Sequence, residues 1–120
     1  MEQQESDRLR VLRTAIRQFN RERDWEQYHA PKNLAMALSA EVAEVVELFQ
    51  WLTAEESRQL GAPKRSALEE ELGDVMIYLT TLADAFGIDP VDAALKKLEL
   101  NAQKYPAARV RGNRAKYSDY

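Results

Sequence analysis

Glu41 and Glu44 stand three residues apart in "SAEVAEVVELFQW" (39–51), and Glu71 and Asp74 repeat that spacing in "LEEELGDVMIYL" (68–79). On a helix that turns about 100° per residue, each pair projects from one face, about 60° apart. Three and four residues away lie apolar side chains such as Ala37, Leu38, Val45, Leu48, Ala67, Leu68, Val75 and Ile77, with Tyr78 and further acids, and never a lysine or arginine. The deficit is wider still: five acids and no base lie between Lys32 and Arg58, and seven acids and no base between Arg65 and Lys96. Packing two such helices together gathers four carboxylates in a partly apolar setting, where uncompensated like charges cost on the order of several kcal/mol. A cation from outside the chain is expected. Oxygen donors alone suit a hard divalent ion, Mg²⁺ or Mn²⁺, better than zinc. The one histidine, His29, lies outside both segments, so the Glu-x-x-His pairs of a di-iron carboxylate bundle are absent. A single Glu-x-x-Glu is ordinarily just solvated surface. Two matched pairs on the two most apolar stretches, both stripped of basic neighbours, favour the metal.

Magnesium held by carboxylates keeps coordination positions for water and substrate phosphates, so phosphate ester chemistry follows. Countercharge is available near the C-terminus: Lys96, Lys97, Lys104, Arg109, Arg111, Arg114 and Lys116 are seven of the seventeen basic residues. From Arg109 onward a solvated basic tail is the simpler reading. Lys97, Asn101, Lys104 and Tyr105 recur at near-helical spacing and are the better substrate candidates. Trp51 follows Glu44 by seven residues and Tyr78 follows Asp74 by four, while Trp25 and His29 precede the first acidic segment. Flat side chains beside a metal-phosphate site suit a nucleobase, although any one of them taken singly is more often a core residue.

The elements that must position these groups are helices. Three of the four prolines fall in "HAPKN", "GAPK" and "IDPVD", which read as breaks between long helical stretches. A first helix is expected from about Ser6 or Asp7 to Asp24, with Leu9, Leu12, Ile16 and Phe19 as its apolar stripe. A second should run from Lys32 or Asn33 to Trp51, followed by a short helix opened by the capping box "TAEE" at 53–56. A third is expected from about Ser66 to Ala85, stopped by Gly87, and a fourth from Pro90 to Lys104, with Asp89 as N-cap. The second and third are apolar over most of their circumference, which predicts contacts on several sides, some from another copy of the chain.

At 120 residues the chain fits one domain with a modest core. Its 45% hydrophobic and 31% charged residues, with a formal charge of -3, give no reason to expect a nucleic-acid polymer or a membrane as partner. The absence of cysteine excludes disulfides, thiolate metal sites and a cysteine nucleophile. The first twenty residues lack the apolar core of a signal peptide, and a cytoplasmic location is expected.

The stretches "RDWEQYHAPKNLAMALSAEVAEVVELFQW", "EEELGDVMIYL" and "KLELNAQKYP" together resemble the MazG-like all-α nucleoside triphosphate pyrophosphohydrolases, most closely the dCTP pyrophosphatase branch, over about residues 8 to 106. The resemblance implies a four-helix core assembled as a homotetramer, a dimer of dimers with sites lined by more than one subunit. It implies magnesium on Glu41, Glu44, Glu71 and Asp74; base- and sugar-facing Trp25, Trp51 and Tyr78 with His29 nearby; and Lys97, Asn101, Lys104 and Tyr105 toward the sugar and triphosphate. Many relatives carry two consecutive glutamates at the start of the first motif. Here Ala40 precedes Glu41, which favours the dCTP branch. A domain over 1–106 and a loosely ordered basic tail over 107–120 are expected, acting in nucleotide-pool cleansing. Two alternatives stand beside this one: a non-catalytic helical oligomerisation module, and the same fold acting on dUTP or a phosphoribosyl nucleotide.

Overall fold

The computed structural model describes residues 2–112, with side chains from Arg8 onward. Every regular element among them is helical, as the spacing of apolar residues requires. The chain divides into two units, one ending at Gly87 and one beginning at Ile88.

The first unit holds α1 (Glu2–Glu22), a 3₁₀ turn (Glu26–Tyr28), α2 (Pro31–Phe49), the short α3 (Ala54–Ser57) and α4 (Ala62–Asp84). Two boundaries differ from expectation because proline opens these helices instead of separating them. Pro31 and Pro63 both sit in a first turn, where a missing N–H forfeits no intrahelical bond, so α4 begins at Ala62 and not near Ser66. The helix α1 begins earlier than expected, at Glu2, and α2 stops at Phe49, short of Trp51. The capping box is present: Thr53 Oγ1 accepts from the Glu56 N–H at 3.1 Å, and Glu56 Oε1 accepts from the Thr53 N–H at 2.9 Å. Gly87, at φ 64°, takes the left-handed conformation that ends the reach of α4.

The principal contact of this unit is α2 against α4, with α1 also lying on α4. Along α2 the more buried positions are Leu34, Ala37, Leu38, Glu41, Val45, Leu48 and Phe49; along α4 they include Leu68, Glu71, Val75, Tyr78 and Leu82, with Thr80 and Ala83. Glu41 and Glu71 therefore occupy the register of an apolar stripe. On α1 the buried positions are Leu9, Ile16 and Asn20, while Phe19, expected in the stripe, is 47% exposed. Met36, Val42, Val46, Leu72 and Met76 also remain exposed on α2 and α4. No helix among the described residues is long and apolar enough to cross a membrane.

In the second unit α5 (Pro90–Lys104) is capped by Asp89, whose Oδ1 accepts from the Val91 and Asp92 N–H groups at 2.9 and 3.1 Å. A short helix, α6 (Ala107–Val110), follows Pro106. The rest of the expected tail, including Arg114 and Lys116, lies outside the described residues.

Candidate active site

The seam between α2 and α4 brings Glu41, Glu44 and Glu71 together. Each offers one carboxylate oxygen, and all three oxygens lie within 4.8 Å of one another. Asp74, one turn beyond Glu71, is not a member of that trio but stands near enough to raise the proton affinity of both Glu41 and Glu71. Burial first, then the charge of Glu44, holds Glu41 above the ordinary carboxylate range, against a hydrogen bond with Glu71 that lowers it. A hydrogen bond with Glu44, together with burial and the charges of Glu44, Glu41 and Asp74, pushes Glu71 up to about 7. Oε2 of Glu41 and Oε2 of Glu71 are buried without a hydrogen-bond partner.

Buried carboxylate oxygens with no donor, on acids that repel one another, lack a positive charge that no described side chain at the trio supplies. The donor set is oxygen only. It fits a hard divalent cation and offers nothing to a soft one.

Beside the acids, the first unit encloses a largely apolar cavity of about 380 Å³. Asp74 and Tyr78 of α4 line it, with Trp25 and His29 from the segment between α1 and α2, and Ile16, Phe19 and Asn20 from α1. The reversal at the end of α1 explains how Trp25 arrives there. Asp24 adopts φ 53°, a left-handed conformation that aspartate tolerates better than most residues. The Trp25 N–H then donates back to the Asn20 carbonyl at 2.9 Å. The indole meets the Phe19 ring edge-on with centroids 5.6 Å apart, and the Arg23 guanidinium lies 3.7 Å from that ring's centroid.

Four of the expected site residues thus share one cavity: Trp25, His29, Asp74 and Tyr78. Trp51 is not among them and stands 88% exposed past the end of α2. Lys97, Asn101, Lys104 and Tyr105 lie on or just after α5, in the second unit. Sequence reasoning passed over Asn20. Its spacing of four from Ile16 was the available signal, since a polar residue in an apolar register is the informative kind of exception.

A sequence model of the MazG-like family matches residues 36–120. This chain belongs to the MazG-like family. Its curated relatives include the dCTP pyrophosphatase 1 of Rattus norvegicus, 47% identical, and that of Homo sapiens, 45% identical, each over 113 residues. Both alignments take in 92% of this chain but 66% of the relative, so the MazG-like chain spans just under two thirds of their length. The crystal structure of a pyrophosphatase from Archaeoglobus fulgidus superimposes with a TM-score of 0.78 at 41% identity, over 82% of this chain and 93% of that one. The matched region holds both acidic pairs, so in this MazG-like chain the family resemblance and the carboxylate geometry concern the same residues.

Proposed function

We propose that this chain is a divalent-cation-dependent pyrophosphohydrolase of (deoxy)nucleoside triphosphates, dCTP or a modified dCTP foremost. It cleaves between the α- and β-phosphates to release the monophosphate and pyrophosphate. The observation that carries the proposal is the convergence of the Glu41, Glu44 and Glu71 carboxylates without countercharge, beside a cavity whose wall includes Asp74. The relatives named for dCTP pyrophosphatase activity support the substrate class.

Mg²⁺ is the proposed cation, with Mn²⁺ as a substitute. Glu41 and Glu71, which carry the orphan oxygens, would hold it together with Asp74 and Glu44. When bound it would offset the charge that builds on the triphosphate during cleavage. Glu44 is the exposed member of the trio and is proposed to take the proton of the attacking water. Trp25, Tyr78 and His29 hold the nucleoside in the cavity and exclude water around it, so in-line attack becomes a matter of positioning. Lys97, Asn101, Lys104 and Tyr105 are proposed contacts to the sugar and triphosphate on the strength of the family resemblance. Trp51, almost fully exposed, is proposed to complete the site of a neighbouring subunit.

A homo-oligomer, a tetramer built from dimers around a four-helix core, is proposed from the same exposure. Val42, Val46, Leu72 and Met76 present apolar surface on the two helices that carry the acids. Residues 1–106 would form the catalytic domain and 107–120 a basic appendage. A cytoplasmic location fits the cysteine-free composition.

The test is product analysis. The purified chain is incubated with Mg²⁺ and a panel of canonical and 5-substituted nucleoside triphosphates, and monophosphate and pyrophosphate are expected from the cytosine members. Release of orthophosphate would exclude cleavage at the proposed bond. Inertness toward the whole panel would return the chain to the oligomerisation module.

A further inference from the structure

Asn20 is only 8% exposed, a polar side chain in the buried stripe of α1. It lies where two cavities adjoin: the one of about 380 Å³ that reaches Asp74, and a smaller one of about 230 Å³. Two polar neighbours on those walls are engaged elsewhere. The Thr81 hydroxyl donates to the Ile77 carbonyl at 2.6 Å, and Arg17 grips Asp84 through Nε at 2.8 Å and through a second nitrogen. The backbone of Asn20 is fixed as well, since its carbonyl accepts from the Arg23 and Trp25 N–H groups. The position continues the apolar stripe of Leu9 and Ile16, where a polar residue is the informative exception. Water can meet the amide in the free protein, but a ligand that displaces the water must replace its hydrogen bonds.

We infer that Asn20 is the specificity-determining contact to the nucleobase, pairing its carboxamide with the amino group and adjacent ring nitrogen of a cytosine-type ring. This rests on the hydrolytic reading above and adds to it the group that reads the base. The carboxamide sets one acceptor beside one donor. An exocyclic amine next to an unprotonated ring nitrogen presents the complementary donor and acceptor. The surroundings suit a flat ring: Phe19, Trp25 and Tyr78 supply aromatic surface and Ile16 an aliphatic floor. Asp74 in the same wall places the acidic end of the site within reach of the rest of such a nucleotide.

The experiment uses the full chain with Mg²⁺ and two substrates, dCTP and its analogue lacking the 4-amino group, in the parent, Asn20→Leu and Asn20→Asp. Deleting the amine is expected to raise the parent's KM about tenfold, and Asn20→Leu to raise KM for dCTP by about the same factor with kcat little changed. Combining the two should cost less than the sum of the separate effects, because the amine and the carboxamide share one of the two bonds while the ring nitrogen keeps the other. Asn20→Asp keeps the acceptor and should keep the preference for the amine. Equal KM changes for both substrates in Asn20→Leu, or loss of the preference in Asn20→Asp, would overturn the inference while leaving hydrolysis intact. Calorimetric titration with dCMP and its des-amino counterpart separates the two readings. Preferential binding of dCMP that Asn20→Leu abolishes, in a chain that hydrolyses neither triphosphate, sinks the hydrolytic reading and upholds the base contact. Failure to bind either monophosphate, with no hydrolysis, sinks both.

Discussion

Glu71 is the most perturbed acid of the trio, and its titration makes a testable statement about the cation-free chain. Its proton affinity rises from the ordinary 4.5 to about 7 on folding, so the folded state binds the proton more tightly than the unfolded one. The resulting stabilisation is full below about pH 4.5 and is lost as pH climbs through about 7. Denaturant melts in EDTA should therefore show stability falling over that window, and millimolar Mg²⁺ should restore it most at the alkaline end, where protons no longer compete. Glu71→Gln removes one of the repelling charges. It should melt no lower than the parent in EDTA, lose the upward Tm shift with Mg²⁺, and lose at least about a hundredfold in kcat/KM, in line with removal of a group that stabilises the transition state. A full Mg²⁺ shift in this variant would show that the trio is not the cation site.

At the scale of elements, two side chains test how the helices are held. Arg17 on α1 clasps Asp84 at the end of α4, and that hydrogen-bonded pair holds the Asp84 carboxyl below its usual range. A depressed carboxyl stabilises above its unfolded value of 3.8 and ceases to do so as pH falls through its folded value. Asp84→Asn should accordingly lower Tm at neutral pH, and the gap between variant and parent should close on strong acidification. Gly73 lies inside α4, between Leu72 and Asp74, and a Cβ there would meet nothing within 4 Å. Gly73→Ala should raise the stability of the chain by about 1 kcal/mol through helix propensity, measured by urea unfolding. Activity lost despite that gain would mean that substrate or a neighbouring subunit comes close to the backbone at this point.

For the whole molecule, the exposed apolar residues of α2 and α4 decide what the chain does with its surface. Val46 is 54% exposed and Leu72 51% exposed. Val46→Glu, on the helix that carries Glu41 and Glu44, should lower the mass seen in sedimentation equilibrium and reduce hydrolysis with it. A variant that sediments like the parent would show that this face is not a subunit interface. On α5, Leu95 and Leu98 are exposed on one side of the helix, a second apolar surface open to the proposed assembly.

The two acidic pairs, the helical plan, the Thr53 capping box and the Asp89 cap were legible in the residues, because three-residue spacing, apolar periodicity and capping chemistry are local properties. Local rules also placed Pro31 and Pro63 near helix starts, but whether a proline breaks a helix or opens it depends on where the first turn forms. Tertiary packing alone decided that Glu44 joins Glu41 and Glu71 while Asp74 turns to the cavity, since that depends on how α2 and α4 cross and which oxygens face each other. It likewise decided that Asn20, not Phe19, is buried on α1, and that Trp51 stays outside the cavity that Trp25 enters. Spacing along a chain fixes the face a side chain points from, and only the neighbouring helix fixes what it meets.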